Sequence, residues 1–139
     1  MEWSIQRRGA SGALARLAVL GSALQCRGMA HAEISVLSKV VTLINVFTVT
    51  PETQEQVARA LSRATDEVMK SQPGFVSASI HKSLDGRKVA NYAQWRSREH
   101  FEVMLQNPAA KQHMAEIASL VERFEPTLYT VASVHSVEP

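Results

Sequence analysis

The sequence predicts an α+β fold of ferredoxin-like β-α-β-β-α-β order, one antiparallel sheet carrying its helices on a single face. Three observations predict it. Two apolar runs, 75–84 and 88–96, flank Asp85-Gly86, a strong hairpin turn. One stripe at helical spacing precedes that hairpin and another follows it. A β-branched run opens the pattern and a second closes it. With 139 residues the chain has room for about one domain of roughly 100–200 residues.

Each element has its own reason. Residues 40–49 (VVTLINVFTV) are β-branched, lack Gly and Pro, and read as the first strand. Thr50-Pro51-Glu52 predicts a helix start, with Thr50 as cap, Pro51 at the first helical position, and Glu52 and Glu55 at the positive end of the helix. Val57, Leu61, Ala64 and Val68 recur at helical spacing and form its inner stripe. Pro73-Gly74 ends it, and Phe75 to Leu84 and Lys88 to Arg96 form the hairpin strands. Ser97 is expected to cap a short helix carrying Phe101, Met104 and Leu105. Asn107-Pro108 is expected to start another, with Met114, Ile117, Val121 and Phe124 on one side. Pro126 is expected to stop that helix, and Leu128 to Val137 to form the last strand.

The first strand is apolar on both sides: Val40, Ile44 and Val46 point one way, Val41, Leu43, Phe47 and Val49 the other. Such a strand is buried on both faces. A body of this size has nothing left to cover the second face, so a homodimer with sheets face to face is expected.

The composition, 45% hydrophobic and 20% charged, is that of a globular chain. The formal net charge is +2, and the excess lies in residues 1–32, where Arg7, Arg8, Arg16 and Arg27 face Glu2 alone. The near-neutral body argues against a nucleic-acid partner. No run approaches the roughly 18 apolar residues of a membrane span, so no membrane partner is expected. Residues 1–37 are set apart as an N-terminal extension, and residues 38–139 as the domain. The extension reads as unstructured, as a presequence, or as a secretory signal whose apolar stretch is broken by Gly21 and Ser22. The domain is expected in the cytoplasm, or exported or organellar if residues 1–32 act as a targeting segment. The single cysteine, Cys26, excludes an internal disulfide and a cysteine-based zinc cluster.

The chain has no glycine-rich phosphate loop, no GxSxG elbow and no HExxH, and its five histidines never take a tight metal-ligand spacing, so no metal site is expected. Polar residues inside apolar strands remain. Alternation puts Val89, Asn91, Ala93 and Trp95 on one face of their strand, and Asn45 shares a face with Leu43 and Phe47. An aromatic wall beside amide groups suits a flat, oxygenated aromatic ligand. His81, on a strand with Ser77 and Ser79, and His113, on the last helix, are the candidate bases.

Residues 40–134 resemble antibiotic biosynthesis monooxygenase domains of the dimeric α+β barrel superfamily. The resemblance runs through Thr42-Leu43-Ile44-Asn45-Val46-Phe47-Thr48-Val49, Gln72-Pro73-Gly74-Phe75-Val76-Ser77 and Asn91-Tyr92-Ala93-Gln94-Trp95-Arg96-Ser97, then Phe101 and Leu105-Gln106-Asn107-Pro108. Members that oxygenate anthrones to quinones without metal or flavin carry Asn-x-x-x-Trp on this strand, which Asn91 and Trp95 match. The resemblance implies a cofactor-independent monooxygenase acting with dioxygen on an aromatic polyketide or quinol-type substrate. It implies Asn91 and Trp95 as catalytic residues, with Asn45, Phe47, Phe101, His81 and His113 as candidates for binding the substrate. Some such enzymes have a tyrosine where this chain has Phe101. Haem-degrading members are the alternative: Asn45 matches their first-strand Asn, their catalytic Trp falls near Met104, and their haem-binding His aligns within one residue of His113. A non-catalytic dimeric barrel that binds small molecules is the third reading.

Overall fold

A computed structural model describes residues 32–139. The readings made for residues 1–31 lie outside the described residues. The elements are β1 (Val41–Thr48), α1 (Gln54–Glu67), a 3-10 turn (Met69–Ser71), β2 (Phe75–Lys82), β3 (Lys88–Trp95), α2 (Arg98–Leu105), α3 (Pro108–Leu120) and β4 (Arg123–Tyr129). The four strands make one antiparallel sheet in the order β2-β3-β1-β4, the ferredoxin-like arrangement. No helix among the described residues is long and apolar enough to cross a membrane.

Local chemistry accounts for most boundaries. The regular part of α1 begins at Gln54, later than the Thr50 start that the sequence suggests. Residues 51–53 already turn, because the Gln54 N–H donates to the Thr50 carbonyl at 3.0 Å. The cap works in reverse of the expected sense: Thr53 Oγ1 accepts from the Thr50 N–H at 3.1 Å. Gln54 then donates its side-chain amide to the Ser83 and Lys88 carbonyls, fastening the start of α1 to the hairpin end. Val57, Leu61, Ala64 and Val68 are all buried, as their spacing requires.

The hairpin closes as expected. Gly86 takes φ +78°, and the Ser83 hydroxyl and Arg87 backbone N–H both donate to the Asp85 carboxylate, holding it below the usual carboxylate range. Ser97 caps α2 by accepting from the His100 N–H, and Asn107 caps α3 by accepting from the Ala109 and Ala110 N–H groups.

The C-terminal elements differ from the expectation. The last helix stops at Leu120; Val121 is extended, and the Glu122 N–H donates to the Thr48 carbonyl at 2.9 Å. The end of β1 therefore captures the chain before another helical turn can form. Phe124 belongs to β4, opposite Phe47, and the two rings stack with centroids 6.1 Å apart. Pro126 does not end a helix but sits within β4, opposite Asn45. An edge strand pairs on one side only, so it tolerates a residue without an N–H. The final strand is Arg123–Tyr129, and residues 130–139 have no regular structure.

Two core clusters lie between sheet and helices. One gathers Phe47, Val49, Val57, Leu61, Val89 and Ile117, the other Leu43, Val68, Ala93, Trp95, Met104 and Ala110. On the outer face of the sheet Thr42 and Gln94 are buried, whereas Ile44, Val46 and Tyr92 are only half-buried in a single chain.

Gly74 is a sharper constraint than Gly86. It has φ +83°, and a Cβ there would run into the ring of His100; at Gly86 the nearest atom would be 3.4 Å away. Gly74→Ala is expected to destabilise the domain by about 1–3 kcal/mol, and Gly86→Ala by less, because only the first combines backbone strain with a clash. Urea unfolding of the two variants checks the order.

Candidate functional site

A cavity of about 270 Å³ lies between the inner face of the sheet and the three helices. Residues of both core clusters line it, so the apolar interior is parted here instead of filled. Strand alternation builds the floor. β1 contributes Leu43, Asn45 and Phe47, β3 contributes Asn91, Ala93 and Trp95, and β4 contributes Phe124, Pro126 and Leu128. Leu61 and Thr65 of α1, Phe101 and Met104 of α2, and Met114 and Ile117 of α3 supply much of the roof. Met114 and Phe124, 36% and 48% exposed, carry the lining out to the surface.

The β1–β3 register sets Asn45 directly opposite Asn91. Both side chains meet the cavity, and both Oδ1 atoms are buried without a hydrogen-bond partner. Trp95 lies four residues along the same face and is 2% exposed, and its Nε1 is likewise buried and unpartnered. Phe75 and Phe101 hold the indole edge-on, with centroids 5.5 and 6.1 Å away and interplanar angles of 87° and 67°. Each unsatisfied buried polar group costs roughly 1–3 kcal/mol. Three such atoms around one apolar cavity form a binding pattern that the folded chain leaves open.

Among the described residues, no side chain lining the cavity is ionisable. Of the residues picked out in the sequence, the cavity brings together Asn45, Phe47, Asn91, Trp95 and Phe101. It does not include the two histidines. His81 is exposed on β2, where alternation puts it with Ser77 and Ser79 on the far side of the sheet. His113 bridges α3 to α1 instead, its Nε2 3.3 Å from a carboxylate oxygen of Glu67. A haem bound in this cavity would find no imidazole among the lining residues. Sequence reasoning missed the β4 wall, because Phe124 also fits the helical spacing of Met114 and Ile117; the alternation of Phe124, Pro126 and Leu128 was the available signal.

The family model described as antibiotic biosynthesis monooxygenase matches residues 40–116. The chain is 44% identical over 82 residues to the tetracenomycin-F1 monooxygenase of Streptomyces glaucescens, an alignment covering 59% of this chain and 73% of that protein. Among solved structures it is similar to a monooxygenase from the gene ActVA-Orf6 of Streptomyces coelicolor, determined in complex with the ligand nanaomycin D. That match has TM-score 0.63 and 25% identity over 73% of this chain and 94% of the other. It is also similar to SnoaB, a cofactor-independent oxygenase from Streptomyces nogalater, with TM-score 0.55 and 27% identity over 69% of this chain and 96% of the other. By its matched residues and its fold alike, the chain belongs to the antibiotic biosynthesis monooxygenase family.

Proposed function

We propose that this monooxygenase oxidises a flat aromatic polyketide of the anthrone or quinol type with dioxygen, without metal or flavin, in the cavity between sheet and helices. The observation that carries the reading is the trio of unpartnered polar atoms, Asn45 Oδ1, Asn91 Oδ1 and Trp95 Nε1, around an otherwise apolar cavity. A hydroxylated polycycle supplies both what the walls need, apolar area, and what those atoms need, hydroxyl and carbonyl groups. The tetracenomycin F1 in one relative's name and the nanaomycin D held as a ligand by another support the same class.

For an anthrone the reaction balances as one methylene plus one dioxygen giving one quinone carbonyl plus one water. The methylene loses a proton, and the resulting carbanion passes one electron to dioxygen. The radical pair joins through carbon and oxygen, the peroxide anion takes a proton back from water, and the hydroperoxide loses water. The amides of Asn91 and Asn45 can rotate a donor towards the oxygen on which charge develops, and a dry cavity strengthens that interaction. Trp95 offers its indole N–H to a substrate oxygen, and Phe75 and Phe101 keep the ring from turning. Phe101 contributes no phenolic proton. A face-to-face homodimer, expected from a first strand apolar on both sides, would cover the half-buried Ile44, Val46 and Tyr92 of the outer face. Residues 38–139 carry the activity in this reading.

Two outcomes are expected of changes to the lining residues. Asn91→Ala should lower kcat for a dihydroxyanthrone by on the order of 10²–10³ with a smaller change in KM, as befits a donor acting mainly in the transition state. Trp95→Phe should slow turnover while the chain stays folded. Oxygen-uptake kinetics on metal-free, flavin-free protein measure both, and unchanged turnover in Asn91→Ala would place the site elsewhere.

No ionisable side chain lines the cavity among the described residues, so in this reading the substrate gives its proton to water. The rate should therefore rise with pH through the ionisation of the substrate itself, and His81→Ala and His113→Ala should leave that midpoint in place. A midpoint that moves with either variant assigns that histidine as the base. Light scattering at micromolar concentration should return twice the chain mass, and a stable monomer would refute the face-to-face dimer.

A further inference from the structure

The indole of Trp95 is held in part by Phe75, a β2 side chain that also lines the cavity. Phe75 meets it edge-on from β2, yet strand alternation alone would turn Phe75 away from it. Counting back from His81 through Ser79 and Ser77, every second residue faces the outer side of the sheet, and Phe75 falls in that series. An irregularity between Phe75 and Ser77 breaks the series: Phe75 pairs with Trp95 and Ser77 with Gln94, so one additional residue, Val76, sits in β2. A bulge of this kind moves every side chain before it to the opposite face.

Two contacts bracket the bulge. On its near side the Arg96 N–H donates to the Gly74 carbonyl at 2.8 Å. On its far side the Ser77 hydroxyl donates to Gln94 Oε1 at 2.9 Å. Gln94 adjoins Trp95 in β3 but points to the outer face, and it is 2% exposed. Its Nε2 donates to the Glu33 carbonyl at 2.7 Å, so both ends of this buried amide are bonded. The contrast with Asn45 and Asn91, whose Oδ1 atoms are unpartnered, separates an amide held in place from amides left open for a ligand.

We infer that Gln94 and Ser77 are positioning residues for Trp95: their hydrogen bond on the outer face holds the β2 bulge that turns Phe75 onto the indole. Its consequence for turnover rests on the reading that Trp95 holds the substrate. The mechanical part does not. If the bulge slips, Phe75 leaves the inner face, the indole loses one of its two aromatic supports, and the N–H that meets the substrate swings. Small misplacements of a positioning group carry large rate penalties.

The test uses the full chain with Trp3→Phe, which leaves Trp95 as the sole tryptophan of the two. Ser77→Ala and Gln94→Leu are made in this background, with Ser77→Thr as the variant that keeps the hydroxyl. In the first two, the near-ultraviolet circular dichroism of Trp95 should weaken and its emission shift to the red. Turnover of a dihydroxyanthrone should fall on the order of tenfold in kcat, more than KM changes. Ser77→Thr should retain both the spectrum and the rate. The inference is overturned if Ser77→Ala and Gln94→Leu lower the unfolding midpoint while the Trp95 spectrum stays unchanged, since the pair is then only a structural tie. It is also overturned if the spectrum changes but kcat does not, in a chain where Trp95→Phe does slow turnover. Should Gln94→Leu fail to fold, Ser77→Ala decides, because it leaves Gln94 and its bond to Glu33 in place. If Trp95→Phe itself leaves turnover intact, the functional reading fails, and the spectrum alone then decides the positioning claim.

Discussion

The antiparallel pairing of β1 with β3 sets Asn45 opposite Asn91 and keeps Trp95 on the same face, and the rest of the structure depends on that register. A slip of one residue would put Asn45 on the opposite side of the sheet from Asn91 and Trp95. Several devices guard against it. The Thr48 carbonyl holds the chain after α3, the Phe47–Phe124 stack aligns β4, and Gln94 ties β3 to β2 and to the segment before β1. None of these contacts touches the polar trio, yet each fixes a strand that carries or flanks it.

The cavity follows from how the helices divide the sheet between them. α1 lies against β2 and β3, whereas α3 packs mainly on α1 and α2. The inner face beneath β1 and β4 is thus roofed without being filled. Aromatic and thioether side chains contribute to its lining, Phe101, Met104 and Met114, and thioethers are the adaptable kind. Among the described residues no ionisable side chain lines the space, and its polar groups are amide, hydroxyl and indole.

Much of this was legible in the chain itself. Element order, the hairpin at Asp85-Gly86, the caps at Ser97 and Asn107, and the buried stripe of α1 follow from local rules: turn dihedrals, capping oxygens and helical spacing. Those rules involve residues only a few positions apart. The shared face of Asn91 and Trp95 was legible for the same reason, because alternation within one strand is local. The resemblance to the family rested on these same stretches.

Tertiary structure decided what local rules could not. Phe124 fits a helix by its spacing, but the Thr48 carbonyl and the Phe47 ring, both distant in sequence, draw it into a strand. Phe75 belongs to the outer face by alternation, but the bulge at Val76 turns it to the indole. His81 and His113 have side chains that suit a base, yet the sheet puts one on its far side and Glu67 holds the other between helices. Sequence alone determined which residue types were present and which local conformations they favour. Which of them share a cavity depends on contacts between segments dozens of residues apart, whose energies no local pattern encodes.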